Sequence, residues 1–335
     1  MLASRYFNSI IIVNDSTIRK ASKDSKKMIA EYRWFQERDE YNHPNVYNLQ
    51  VGDISSYDME YIHGRTLSDI YVNELIPVED FCTIIDFILN KIITMRKQSV
   101  KYEDYRFRES LNFLYAEKTT ERLTNYGFNL NWKYKLNEIE IPSLKEIIDT
   151  CEVSIDNTDL SYVHGDLCFS NILIDDNFDV NNIEDHLYFI DPRGMLPNKS
   201  KEITSVGDYK YDIGKLAHSI IGNYDLIKAN LIKADKVGER SFTLYDETTQ
   251  YKNIVKEHFF ATAGHKEVWY NIMIHLFLSM IPLHDDNPKH QDTMLANALR
   301  LYLERNDCSY SNGRCEFQIY KHGNGTKIYV KDKGV

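Results

Sequence analysis

The residues best suited to chemistry lie in two polar segments, each of which follows an apolar pattern typical of a strand. In the first, His164-Gly165-Asp166 is followed by four residues and then Asn171, and the second contains Asp191. In phosphoryl transfer, one carboxylate orients the attacking hydroxyl and accepts its proton, while a second carboxylate and an amide oxygen hold Mg²⁺ on the nucleotide phosphates. Asp and Asn also form turns, but three of them at this spacing favour phosphoryl transfer.

This pattern resembles the aminoglycoside phosphotransferase and choline kinase family, which shares the two-lobed protein-kinase-like fold. His164-Gly165-Asp166 is similar to the His-Arg-Asp of protein kinases, and Asp191 to the aspartate of their Asp-Phe-Gly. The resemblance implies that Asp166 is the catalytic base and that Asn171 and Asp191 bind Mg²⁺. It implies a packed, structural role for His164.

The amino-terminal region should supply the residues that hold the nucleotide phosphates. Lys20 lies on a predicted strand on the same face as Ile18, and Glu31 lies on the helix that follows. The resemblance implies that this lysine contacts ATP phosphates and that Glu31 fixes it; an exposed lysine and an exposed glutamate are the alternative. No GxGxxG loop precedes the strand. Either residues 3–8 form a short phosphate loop, with Ser4 and backbone N–H groups as donors, or the loop is rudimentary.

Two further segments match the family pattern. The residues from Glu60 to Ile62, followed by Gly64, resemble the connection between the lobes, where adenine pairs with backbone groups. Asp212 opens a predicted helix and resembles the aspartate that supports the catalytic loop. A carboxylate in the first turn also interacts favourably with the helix dipole, so we expect a structural role for Asp212.

Arg193 follows Asp191 by two residues and has two interpretations. An arginine at the mouth of the cleft can bind an anionic group through paired hydrogen bonds, or it can be a turn residue that pairs with a neighbouring carboxylate. The segment Asp191-Pro192-Arg193-Gly194 also resembles, more weakly, kinase-like proteins of bacterial capsule and surface-polysaccharide loci.

Patterns along the chain predict an α+β protein, and the resemblance implies a bilobal protein-kinase-like fold. We expect a small β-rich N-lobe at 1–64 that clamps the nucleotide. A large, mainly helical C-lobe at 65–305 should hold the catalytic loop, the metal site and the acceptor pocket. A carboxy-terminal β-hairpin extension is expected at 306–335, because two strand patterns flank His322-Gly323-Asn324-Gly325.

The composition is that of an ordinary globular protein. The 335 residues are 43% hydrophobic and 27% charged, and 40 Lys+Arg against 50 Asp+Glu give a net charge of −10. The acidic balance argues against a general nucleic-acid binder. No signal peptide or membrane span is predicted. Scattered cysteines without a CxxC pair favour free thiols and a cytoplasmic location: Cys82, Cys151, Cys168, Cys308 and Cys315.

We therefore expect an ATP- and Mg²⁺-dependent phosphotransferase that acts on a hydroxyl of a small molecule, with a sugar or polyol for surface polysaccharide synthesis as the preferred acceptor. Choline, ethanolamine or an aminoglycoside is the alternative acceptor. A nucleotide-binding pseudokinase or scaffold is the alternative from another functional class. The pattern does not determine the oligomeric state.

Overall fold

A computed structural model describes most of the chain, namely residues 8–97, 105–156, 159–197, 201–246, 248–264, 266–307, 319–322 and 325–328. Its strands are β1 (Asn8–Asn14), β2 (Thr17–Ser22), β3 (Val46–Gln50), β4 (Ser55–Glu60), β5 (Gly64–Thr66), β6 (Lys133–Leu136), β7 (Ile139–Ser143), β8 (Leu160–Tyr162), β9 (Ile172–Asp175), β10 (Leu187–Phe189), β11 (Val206–Asp208), β12 (Lys233–Gly238), β13 (Ser241–Tyr245), β14 (Ile319–His322) and β15 (Gly325–Ile328). Its helices are α1 (Ser25–Glu37), α2 (Leu67–Asn73), α3 (Val78–Lys97), α4 (Tyr105–Asn112), α5 (Lys118–Asn125), α6 (Leu144–Thr150), α7 (Ile183–His186), α8 (Tyr209–Ile220), α9 (Tyr224–Lys228), α10 (Gln250–Thr262), α11 (Lys266–Met280) and α12 (Pro288–Asp307).

The predicted α+β class is confirmed, since a β-rich amino-terminal region precedes a mainly helical one. The chain divides into two compact units. The first comprises Met1–Phe113 and Ile155–Leu216, and the second Leu114–Ser154 and Ala217–Val335. The predicted boundaries at 64 and 305 refer to lobes rather than to these units and stay a prediction. None of the helices in the described ranges is both long and apolar enough to cross a membrane.

The amino-terminal sheet of the first unit has the strand order β1-β2-β4-β3, and all of its pairings are antiparallel. Helix α1 begins after Asp24, whose side chain caps it by accepting a hydrogen bond from the Lys27 N–H. The apolar side chains of α1, at the spacing that puts them on one face of a helix, are buried: Met28, Ala30, Trp34 and Phe35. Burial of this face fixes the helix, and with it any polar side chain on the same face.

Short strands frame the polar segments of the first unit. β8 pairs with β11, and β9 pairs with β10 and β5. The loop that contains Asp166 therefore begins at the end of β8 and ends at β9, and Asp191 follows β10. The Trp34 indole N–H donates to the Val163 carbonyl at 2.8 Å and so links α1 to the start of this loop.

The second unit contains a four-stranded sheet, in the order β12-β13-β6-β7, that the sequence patterns do not predict. β13 pairs with β6 in parallel, although they are distant in the chain. The long helices α11 and α12 bury most of their apolar side chains. Within the predicted carboxy-terminal extension, residues 306–307 are the end of α12 and β14 and β15 form an antiparallel pair. The other residues of that prediction lie outside the described ranges.

Candidate active site

The centre of the candidate site is a buried lysine between two carboxylates. Lys20 Nζ lies 2.7 Å from Glu31 Oε2 and 2.6 Å from Asp191 Oδ1. The lysine and Glu31 are each 1% exposed, whereas the Asp191 side chain is 37% exposed. Burial by itself lowers the pKa of Lys20, but the charges of Asp191 and Glu31 outweigh it and raise the pKa well above its ordinary value. The lysine is thus held as a cation beside an aspartate that is partly exposed.

Strand register and helix periodicity produce this cluster. Alternation along β2 points Lys20 inward, and Arg19 on the other face pairs with Asp58 instead. Register across the sheet places Tyr57 beside Lys20, and the Tyr57 hydroxyl donates to Glu31 Oε2 at 3.0 Å. Glu31 is therefore fixed by a cation and by a phenol, which locks its side chain in one direction.

The loop after β8 is held by a buried aspartate of α8. The backbone N–H groups of His164 and Gly165 donate to the two carboxylate oxygens of Asp212, each at 2.8 Å. Asp212 is 1% exposed, and burial raises its pKa to about 7 in spite of these two hydrogen bonds. This pairing sets the backbone of the loop immediately before Asp166.

His164 connects the two polar segments. It is completely buried, and its Nε2 lies 2.9 Å from the Ile190 carbonyl, while the Asp166 N–H points at Nδ1 from 3.3 Å. These partners assign the proton to Nε2, since Nδ1 acts as the acceptor. Burial lowers the pKa of His164 to about 4, so the ring is neutral near pH 7. A neutral, enclosed ring suits a positioning role better than acid–base chemistry.

Asp166 lies opposite a lysine that the sequence analysis missed. Lys215 Nζ is 2.7 Å from Asp166 Oδ1, and Lys215 is buried whereas the Asp166 side chain is 37% exposed. Burial would raise the pKa of Asp166, but the charges of Lys215 and Arg193 outweigh it and hold the pKa below the ordinary range. Lys215 stands three residues after Asp212 on α8, a spacing that shares one helix face. That spacing is the feature of the sequence from which Lys215 could have been predicted as a site residue.

The residues implied as Mg²⁺ ligands have the right chemistry for that ion. Asn171 Nδ2 donates to the Asp166 carbonyl at 2.8 Å, and its amide oxygen accepts only a long hydrogen bond of 3.5 Å from the Ser170 hydroxyl, which a metal ion could replace. The Ile190 N–H donates to the Asn171 carbonyl at 3.0 Å, so the two segments run side by side and Asp191 is adjacent. A carboxylate and an amide oxygen are hard donors of the kind that Mg²⁺ prefers. In the described ranges, no group of three or more His, Cys, Asp or Glu side chains forms a complete metal site.

The other predicted site residues fall in different places. Glu60 uses its side chain to accept from Asn45 Nδ2 at 2.8 Å. The backbone of Ile62 has no hydrogen-bond partner in the described part of the chain, and so is available to a ligand. Ser4 lies outside the described residues. Arg193 is half-buried, and its guanidinium donates to the Tyr211 hydroxyl at 2.9 Å.

Comparisons with known proteins gave no match to a family model and no match to a curated protein. Solved structures similar to this chain include a thermostable mutant of aminoglycoside phosphotransferase APH(4)-Ia in a ternary complex with ADP and hygromycin B. The two chains are 9% identical with a TM-score of 0.47, and the match covers 90% of this chain and 94% of that chain. A choline/ethanolamine kinase family protein from Mesorhizobium loti has 12% identity and a TM-score of 0.44 over 90% of this chain and 85% of that one. Choline kinase from Cryptosporidium parvum Iowa II has 10% identity and a TM-score of 0.42 over 91% and 90%.

The side-chain geometry of the candidate site includes a lysine–glutamate pair and an aspartate beyond it, an arrangement that protein kinases use to hold nucleotide phosphates and Mg²⁺. The described chain thus has an α+β fold in which a buried lysine–glutamate pair lies beside a partly exposed aspartate.

Proposed function

We propose that this chain is a small-molecule kinase that transfers the γ-phosphoryl group of ATP to a hydroxyl. One observation carries the proposal. Within one compact unit, Lys20 is fixed by Glu31 beside Asp191, and an ionised Asp166 lies on the loop that runs alongside. Phosphoryl transfer depends on positioning and charge neutralisation, for which fixed cations and ionised carboxylates are suited.

On the nucleotide side of the proposed site, a protein group can exchange its present partner for atoms of the nucleotide. Lys20 keeps Glu31 as a buried partner and can exchange Asp191 for phosphate oxygens, since Asp191 is the exposed member of the cluster. Asp191 and Asn171 would then hold Mg²⁺. The ion supplies Lewis-acid neutralisation of phosphate charge. The free backbone groups of Ile62 suit pairing with the adenine edge.

Asp166 orients the acceptor and takes its proton. The acceptor oxygen forms a bond to the γ-phosphorus as the bond from phosphorus to the β,γ-bridging oxygen breaks and ADP leaves, and the hydroxyl proton passes to the Asp166 carboxylate. The lowered pKa makes Asp166 a weak base, which fits a loose transition state in which the proton moves late. Orientation of the hydroxyl is thus its main contribution.

A sugar or polyol used in surface polysaccharide synthesis remains our proposed acceptor, on the sequence resemblance of the segment at Asp191. The alternative of a cationic acceptor, such as choline or an aminoglycoside, is disfavoured because Lys215 and Arg193 both act on the charge of Asp166. The buried ion pair of Lys20 and Glu31 argues against the scaffold alternative, because protein kinases use such a pair to hold nucleotide phosphates. A cytoplasmic location suits an ATP-dependent enzyme and the free buried thiols of the described chain.

The test is Asp166→Asn in a coupled ADP-release assay against sugars, polyols and amino alcohols. We expect turnover to fall by about 100-fold or more, while calorimetry shows unchanged affinity for Mg²⁺ and ADP. Asp176→Asn, in an exposed turn of the same unit, is the matched control and should keep full activity. Full activity of the Asp166 variant would refute its assignment. A wild-type chain that binds no nucleotide would favour the scaffold instead.

A further inference from the structure

Beside Asp166, one cation has a carboxylate partner and the other does not. Lys215 is paired with Asp166 at 2.7 Å. Arg193 has no carboxylate within 4.0 Å of its guanidinium in the described chain. It nevertheless lies against the loop that carries Asp166, since its Cβ is 2.8 Å from the position that a Cβ on Gly165 would take. The site beside the proposed base therefore carries an arginine charge that forms no ion pair within the described part of the chain.

The position of Arg193 is fixed at both ends. Its backbone N–H donates to the His164 carbonyl at 2.9 Å. Its Cβ lies only 2.8 Å from the point that a Cβ on Gly165 would occupy, so the side chain crosses the catalytic loop where glycine leaves room. At the far end, its guanidinium carbon stands 4.7 Å from the centre of the Tyr211 ring. The Arg193 side chain is thus held in one orientation before any ligand binds.

The guanidinium of Arg193 has more N–H donors than its hydrogen bond to Tyr211 uses. Nη2 donates to the Tyr211 hydroxyl at 2.9 Å, and a guanidinium has five N–H donors in a planar fork that matches a carboxylate or a phosphate. The two aspartates whose charges act on Arg193 do not contact its guanidinium in the described chain. Asp166 is paired with Lys215, and Asp212 gives both of its oxygens to backbone N–H groups.

We propose that the acceptor is an anion whose carboxylate or phosphate group binds Arg193 while its hydroxyl lies against Asp166. The inference rests on the proposed phosphotransferase function and deepens it. It narrows the acceptor from any sugar or polyol to an acidic one, and makes Arg193 a residue that determines specificity. Lys215 neutralises Asp166, so that the acidic acceptor is not repelled by the base that receives its proton.

The experiment compares acceptors that differ only in charge. On a six-carbon scaffold these are glucose, glucuronate, glucose 6-phosphate and glucosamine; on a three-carbon scaffold they are glycerol, glycerate and glycerol 3-phosphate. We expect kcat/KM for an acidic member to exceed that of its neutral counterpart by about 10- to 100-fold, since hydrogen bonds to charged groups are strong. Comparison of the carboxylate acceptors with the phosphate acceptors shows which anionic group binds Arg193.

Arg193→Gln should raise KM for the acidic acceptor by a similar factor, leave KM for ATP unchanged and abolish the preference over the neutral acceptor. Arg193→Lys should restore only part of the preference, because it keeps the charge without the fork. Arg96→Gln is the matched control, since Arg96 also stacks on a tyrosine, at 4.5 Å from the Tyr209 ring, and should keep the wild-type preference.

Three outcomes would overturn the inference. These are a wild-type preference for neutral or amino acceptors, an Arg193→Gln effect on KM for ATP alone, and acidic acceptors that neither turn over nor bind. Calorimetry with the same compounds separates this inference from the proposed function. Acid binding that requires Arg193 without any turnover would refute the kinase and keep the anion site. Turnover of neutral acceptors that is indifferent to Arg193 would keep the kinase and refute the anion site.

Discussion

Replacing Lys20 with methionine should destabilise the chain strongly, apart from any effect on nucleotide binding. The substitution keeps the apolar stem of the side chain and removes the charge. It leaves the Glu31 carboxylate, which is 1% exposed, without the cation 2.7 Å away. The Tyr57 hydroxyl at 3.0 Å and Lys27 Nζ at 3.5 Å remain near Glu31, but Lys27 is 39% exposed and cannot replace a buried charge.

The size of the loss in the free energy of unfolding depends on how deeply each carboxylate partner of Lys20 is buried. Removing one partner of a buried ion pair costs about 3–5 kcal/mol, because the other charge stays desolvated. The second carboxylate, Asp191, is 37% exposed, so water can replace the lysine there and the added cost is about 1 kcal/mol or less. We therefore expect Lys20→Met to lower the free energy of unfolding by about 3–5 kcal/mol, nearly all of it through Glu31.

The assay is urea unfolding followed by circular dichroism and tryptophan fluorescence. The control is Lys201→Met, because Lys201 Nζ lies 2.8 Å from Asp24 but the two side chains are 48% and 39% exposed. That variant should lose about 1 kcal/mol or less. The double variant Lys20→Met/Glu31→Gln removes both charges and keeps an acceptor for Tyr57, so it should recover about 2 kcal/mol or more of the loss.

Two results would contradict this reasoning. One is a Lys20→Met variant no less stable than the Lys201 control, which would mean that the Glu31 charge is solvated or protonated at little cost. The other is a double variant less stable than Lys20→Met by the full cost of Glu31→Gln alone, which would show that the two side chains are not coupled.

Three more predictions concern packing and pH. Burial lowers the pKa of His275 to about 4, so between that value and the ordinary pKa of histidine only the unfolded chain binds the proton. The free energy of unfolding should therefore fall by about 2 kcal/mol on acidification from pH 7 to 5. His275→Gln should remove this share of the difference between the urea midpoints at the two pH values. Gly194→Ala should cost more stability than Gly264→Ala in the same assay, since both have φ near +60° but only at Gly194 would the Cβ lie 2.3 Å from a carbonyl oxygen of α1; equal losses would exclude that clash. Trp34→Phe should cost about 1–3 kcal/mol, because it leaves the Val163 carbonyl without its indole donor, and an unchanged urea midpoint would show that this hydrogen bond contributes nothing.

Sequence patterns predicted the local elements around the site. Alternation in the strand pattern placed Lys20 on the inward face, and the helix after it was predicted from the spacing of apolar residues that do become buried, such as Met28 and Phe35. These elements follow from interactions between residues close in the chain, which is why periodicity reveals them.

The sheet in the second unit illustrates the opposite case. Its hairpin turn uses Asn137 and Glu138, both with positive φ, rather than the Asn-Gly that signals such a turn. The parallel pairing of β13 with β6 joins segments that have no mutual signal in the sequence, here Ser241 with Lys135. Short strands paired in this way depend on the tertiary fold for their partners, so local patterns do not predict them.

The sequence by itself determined which chemical groups the chain offers and on which elements they lie: the strand lysine, the helix glutamate, and the aspartates and asparagine of two polar loops. Only the tertiary structure decided how they pair. It brought Lys20 to Asp191 across 171 positions of the chain, and it set Lys215 rather than a loop residue against Asp166. The physical reason is that a charge is removed from water at a cost that only a partner can offset. Such partners are selected by packing in three dimensions rather than by proximity in the chain.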